Sequence, residues 1–159
     1  MNKRTLILII IDELTKKLAI MTQAANIARE EATHEDAKAE NKYDTRGLEA
    51  SYLAGAQAER AGLLEEAISY FENFISKASE TKTLISAGAL VELESEDKSA
   101  WYFLSPHEGG LKVRSEGKEV FVLGTQSPLG ATLLGKSEGD EVEIKTPTGV
   151  KEYAICSVG

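Results

Sequence analysis

Thiols are almost missing from these 159 residues, because Cys156 is the sole cysteine. An internal disulfide is therefore impossible and a thiolate metal cluster has no ligands, which fits a reducing cytoplasm. Cys156 itself reads as a small apolar side chain in a strand. Histidine is nearly as scarce: His34 and His107 stand far apart, so a His-built metal site or a nucleophilic triad lacks its parts, and each reads as an exposed polar side chain. Basic residues are outnumbered, 18 against 26 acidic ones, for a formal charge of −8. A nucleic-acid coat needs clustered Lys and Arg, so contact with nucleic acid is expected only indirectly. No apolar run approaches the roughly 20 residues that cross a bilayer. The run at residues 6–11, behind Lys3 and Arg4, stops at Asp12 and Glu13 with no small-residue cleavage signal, which argues against secretion. A phosphate loop, a dinucleotide glycine fingerprint and a nucleophile elbow are absent as well.

What is present is an ordinary globular composition, 42% apolar and 28% charged, arranged in two halves of different period. In the first, Ile7, Ile11, Leu14, Leu18, Met21, Ala25 and Ala28 recur at steps of four and three with no glycine or proline between them. That spacing predicts a helix on the order of 40 Å long with a heptad seam. A second helix is expected over residues 48–76, where Leu53, Ala56, Leu63, Ala67, Tyr70 and Phe74 repeat similarly and Leu64, Ile68, Phe71 and Ile75 broaden the stripe. The polar stretch 33–47 between them reads as a turn, which makes an antiparallel αα-hairpin. Its seam is small near the turn, with Ala24, Ala25 and Ala28 opposite Gly55 and Ala56, and bulky at the open end. A buried Leu, Ile or Phe contributes roughly 1.5–3 kcal/mol, so the turn end is expected to be softer.

After Lys82 the period changes to two. Residues 89–93, 100–104, 111–113, 119–123, 141–144 and 153–158 read as strands, separated by Gly-, Pro- and Asp-containing turns. Between them Ser127 is placed to cap a short helix, with Pro128 at its first position and Gly135 just past its end. The fold class is therefore α+β. An N-terminal antiparallel helical hairpin over residues 1–80 precedes a small antiparallel β-sheet domain with one short helix over 81–159. Trp101, Tyr102, Phe103 and Phe121 read as core, since alternate strand positions face inward. The hairpin buries its own stripe, so a monomer is expected.

The one cluster with chemical potential is the turn, where Asp36, Glu40, Asp44 and Glu49 are joined by Glu35. Carboxylates are hard oxygen ligands, and Mg²⁺ characteristically takes one or two of them. The same residues also suit a solvated loop, since Lys38, Lys42 and Arg46 interleave with them, and Asp44 suits a helix cap.

The segment SPLGATLLGKSEGDEVEIKTPTGVKEYAI, residues 127–155, resembles the end of the bacterial Gre transcript-cleavage factors. A Ser-Pro turn, a helix ending Leu-Leu-Gly-Lys, a Gly-Asp pair and a final Glu-Tyr strand recur there in this order and spacing. The hairpin and the length fit the same family. The resemblance implies an FKBP-like C-terminal domain that binds bacterial RNA polymerase, with Ser127 and Pro128 as candidate contacts. It also implies a coiled-coil finger inserted into the secondary channel, whose acids help hold the second Mg²⁺ of the polymerase active site. The factor would need no cofactor of its own and would not be an enzyme alone.

Family members carry an acid, then a Glu-Asn pair and a Glu-Tyr pair at the tip. Aligning on Tyr52 makes Asp44 and Glu49 the metal-reaching acids, at a wider spacing than usual. Aligning on Glu40-Asn41 makes them Asp36 and Glu40. Three functions follow: a cleavage-stimulating elongation factor, a secondary-channel regulator of the polymerase without cleavage, and, least favoured, a prolyl isomerase on the FKBP-like domain.

Overall fold

The computed structural model describes residues 1–33, 45–78, 83–96 and 98–159. Two long helices, α1 (Lys3–Thr33) and α2 (Arg46–Ile75), are followed by strands β1 (Leu90–Ser95), β2 (Lys98–Ser105), β3 (Lys112–Ser115) and β4 (Lys118–Gly124). Helix α3 (Pro128–Leu133) and strands β5 (Glu141–Thr146) and β6 (Gly149–Val158) complete the chain. α1 starts at Asn2, whose Oδ1 accepts the Thr5 N–H at 3.1 Å and so satisfies one of the first-turn donors that has no partner within the helix. The chain divides into two compact units, one formed by Asp12–Ser69 and the other by Met1–Ile11 together with Tyr70–Gly159.

The unit Asp12–Ser69 is the helical hairpin. On α1 its buried stripe is Leu14, Ala25 and Ala28, with Leu18 and Met21 half-buried, as the heptad spacing predicts. On α2 the expected Leu64 and Ala67 do lie in the stripe, but nearer the turn it is displaced by one residue from the expected one. Leu64 and Ala67 are buried and Ala54, Gln57 and Ala61 half-buried, whereas Leu53 and Leu63 are 50% and 56% exposed and Gly55 and Ala56 face solvent. The inward stripe includes the polar Gln57, which a count of hydrophobic residues passes over. Nearer the turn small residues are chosen over Leu53 and Leu63, and small side chains let two helices approach closely.

The other unit is a six-stranded sheet in the order β3-β4-β2-β1-β6-β5. Neighbours are antiparallel apart from β2 and β4, which run parallel from Trp101↔Val120 to Ser105↔Gly124. The sheet is thus mostly antiparallel rather than wholly so. β3 and β4 form a hairpin with each other, and it is β4 that docks beside β2. Their two-residue turn places Glu116 at φ 50° and Gly117 at φ 79°, the positive angles that match the twist of a tight hairpin.

One face of the sheet presents Val91, Leu93, Leu104, Val142 and Ile155 to Leu129 and Leu133 of α3. The side chains of a strand alternate, so Phe103 points the other way. There its ring centroid lies 6.0 Å from that of Phe71 and 6.2 Å from that of Phe74. Leu6, Ile7 and Ile10 are fully buried in the same unit. The expected Ile11 is only half-buried, because the helix start carries a face wider than a heptad seam. Of the four aromatics expected in the core, Phe103 is buried and Trp101, Tyr102 and Phe121 are half-buried.

Candidate functional site

Of the acids singled out in the sequence, Asp36, Glu40 and Asp44 lie outside the described residues, as does His34. Glu49 is in the first turn of α2 and exposed. Thr45, just ahead of the helix, organises that turn twice: its carbonyl accepts the Glu49 N–H at 2.9 Å, and its Oγ1 donates to Glu49 Oε1, also at 2.9 Å. The carboxylate therefore sits where the helix dipole favours negative charge, with one oxygen held by Thr45.

Ser127 and Pro128 are built differently. Ser127 is the N-cap of α3: its Oγ accepts the Gly130 N–H at 3.1 Å and donates to the Gly124 carbonyl at 2.7 Å. Both capacities of the hydroxyl are used inside the loop. Gly130 is required by the same closure, because a Cβ there would lie 2.1 Å from the Gly124 carbonyl oxygen. Pro128 at the first helical position is exposed. Beside this loop, the Ser105 carbonyl accepts the Thr125 N–H at 3.0 Å, and Ser105 Oγ accepts the His107 N–H at 3.0 Å. The loop after β2 and the loop before α3 are thereby tied together.

His107 is not the exposed polar residue that the sequence suggests. It is half-buried, with its ring centroid 5.0 Å from that of Tyr70. Burial pushes the Tyr70 hydroxyl above the ordinary tyrosine value. The pairing joins the end of α2 to the β2–β3 loop, and nothing in the local sequence of either segment announces it.

Two shallow clefts open on the sheet unit. One, of about 430 Å³, runs past Trp101, whose ring carries Lys118 Nζ at 4.8 Å from its centroid, and past Glu92 and Ser99. The other, of about 470 Å³, is lined by Thr132, Lys136, Val142 and three glutamates. Both are open and charge-lined, unlike the largely apolar concavities that hold small ligands. Among the described residues, no three His, Cys, Asp or Glu side chains converge to hold a metal ion. No helix among them is long and apolar enough to cross a membrane.

Comparison with known proteins places these features. The family model described as "Transcription elongation factor, GreA/GreB, C-term" matches residues 80–159. Transcription elongation factor GreA of Maridesulfovibrio salexigens is 38% identical over 112 residues, covering 65% of this chain and 66% of that protein. GreA of Ruegeria pomeroyi is 32% identical over 128 residues, covering 79% and 74%. Among solved structures, that of GreA factor homolog 1 (Gfh1) of Thermus thermophilus aligns over 94% of both chains at 23% identity, with a TM-score of 0.38. The Ser127–Gly130 cap and the six strands all lie inside the matched family region, and the chain belongs to the GreA/GreB family of transcription elongation factors.

Proposed function

We propose that this chain binds bacterial RNA polymerase and delivers the acidic segment between α1 and α2 through the secondary channel to stimulate cleavage of backtracked RNA. The observation that carries the reading is Glu49: an exposed carboxylate in the first turn of α2, held by Thr45, adjoining the stretch that contains Asp36, Glu40 and Asp44. Such carboxylates are suited to a Mg²⁺ ion shared with the polymerase active site, where a second metal activates water for phosphoryl chemistry. Asp44 with Glu49 is the preferred pair, and Asp36 with Glu40 the second. Polymerase contact is assigned to the α3 loop, with Pro128 offering its exposed ring and Ser127 shaping the loop from within. The chain acts as a monomeric accessory factor of the cytoplasm, meets nucleic acid only through the elongation complex, and needs no cofactor of its own.

A second reading, a secondary-channel regulator that does not stimulate cleavage, is favoured by one feature of Glu49. Its separation from Asp44 is wider than the family spacing. Stalled, backtracked bacterial elongation complexes distinguish the two. Shortening of the RNA 3′ ends in the presence of the protein, lost in Glu49→Gln or Asp44→Asn, supports cleavage stimulation. Polymerase binding with unchanged 3′ ends over a wide concentration range selects the regulator, and failure to retain polymerase on immobilised protein removes both.

A further inference from the structure

Helix α2 carries three unfavourable features within two turns of one another. Gly55 and Gly62 both lie inside the helix, where glycine is the least stabilising residue other than proline. A glycine is often kept because a neighbour occupies the space of its Cβ, but at both positions an added Cβ would meet nothing within 4 Å. Packing therefore does not explain either one. Between them Gln57 is half-buried in the inward stripe, and its Oε1 is shielded from solvent with no hydrogen-bond partner. A buried acceptor without a donor favours any rearrangement that returns it to water. The nearest inward residues on either side of Gln57, Ala54 and Ala61, are small and only half-buried, so little apolar area opposes such a rearrangement. Beyond Gly62 the character changes: Leu64, Ala67 and Phe71 are all at or below 3% exposure.

We infer that residues 55–62 are a built-in bending point of α2, at which the helix opens locally and releases the Gln57 amide to solvent while residues 64–71 stay packed. A bend there redirects residues 46–54, including Glu49, without disturbing the buried C-terminal stretch of the helix. Nothing in this device depends on whether the acids act in RNA cleavage.

Hydrogen–deuterium exchange of the full chain, read by peptide mass spectrometry, tests the inference. Amides of residues 55–62 are expected to exchange about tenfold or more faster than those of residues 64–71. Gly55→Ala and Gly62→Ala should each slow exchange in that segment by about fivefold, and their combination by more. Gln57→Leu, which removes the unpartnered Oε1, should slow it as well, with residues 64–71 changed much less. Equal exchange along the whole of α2, or a Gly55→Ala/Gly62→Ala double variant whose segment exchanges within about twofold of the unsubstituted rate, would overturn it. Both alanines enter open space in an existing helix, so the variants are expected to fold.

Discussion

The ring of Phe74 lies directly over the backbone of Gly88, so that a Cβ on Gly88 would sit 1.8 Å from Phe74 Cζ. Gly88 is buried and holds φ 84°, its N–H donates to the Leu104 carbonyl at 2.7 Å, and the same Phe74 ring meets Phe103 edge-on. One glycine thus serves the end of α2 and the entry to the sheet together. Gly88→Ala combines left-handed strain with a clash that no small shift relieves, and should lower unfolding free energy by about 3 kcal/mol. Urea denaturation followed by tryptophan fluorescence checks this. Phe74→Leu in the same chain is expected to restore part of the loss by clearing the ring while leaving the strain.

The cap of α3 gives a graded pair. Ser127→Ala removes the acceptor for the Gly130 N–H and should cost about 1 kcal/mol. Gly130→Ala should cost distinctly more, because its Cβ meets the Gly124 carbonyl rather than a flexible side chain. Thermal melts of the two variants should rank in that order, and the reverse ranking would contradict the packing described for this loop.

Asp140 accepts hydrogen bonds from the Ser137 backbone N–H at 2.8 Å and the Ser137 hydroxyl at 3.1 Å. The backbone bond, then the hydroxyl, holds its carboxyl below the ordinary aspartate value. A carboxyl whose folded value is depressed contributes stability that is complete above the unfolded value and is lost as pH falls through the folded one. Carbon-detected NMR titration should therefore find Asp140 ionised to lower pH than a free aspartate. Ser137→Ala should move it partway back, since the backbone donor remains.

Cys156 occupies the irregularity in the β1–β6 ladder, where the register passes from Glu92↔Ser157 to Leu93↔Ile155 and leaves it without a partner. Its thiol is exposed and reaches Glu94 Oε2 at 3.7 Å. Desolvation first, and then the Glu94 carboxylate, push the thiol above its usual value. Alkylation by iodoacetamide at pH 8 should be slower than for an unstructured cysteine, because less thiolate is present. Glu94→Gln should speed it up, and an unchanged rate would remove Glu94 as a cause.

The sheet unit was readable in the sequence wherever local chemistry fixes local structure. The turn glycines, the alternation and the Ser127-Pro128 pair mark the six strands and α3 to within a few residues. The parallel pairing of β2 with β4 was not readable, because it joins strands separated by a whole hairpin and leaves no mark in either. In α2 two candidate stripes lie side by side. Leu64 and Ala67 were legible, but nearer the turn the stripe with Leu53 stood out, while packing selected the one holding Ala54, Gln57 and Ala61. Among the site residues, Ser127 was legible as a cap because its hydrogen bonds are local. Glu49 was legible as an acid in a first turn, but its bond to Thr45 needed the helix to bring the two together. The contact of Tyr70 with His107 spans distant segments and was invisible.

Leu6, Ile7 and Ile10 precede the hairpin in the chain, yet the unit that buries them is otherwise composed of residues from Tyr70 onward. A nascent chain must therefore carry this greasy strip without its native partners until residues from Tyr70 onward begin to emerge. Until then the strip is apolar surface of the kind that favours aggregation and that chaperones exist to cover.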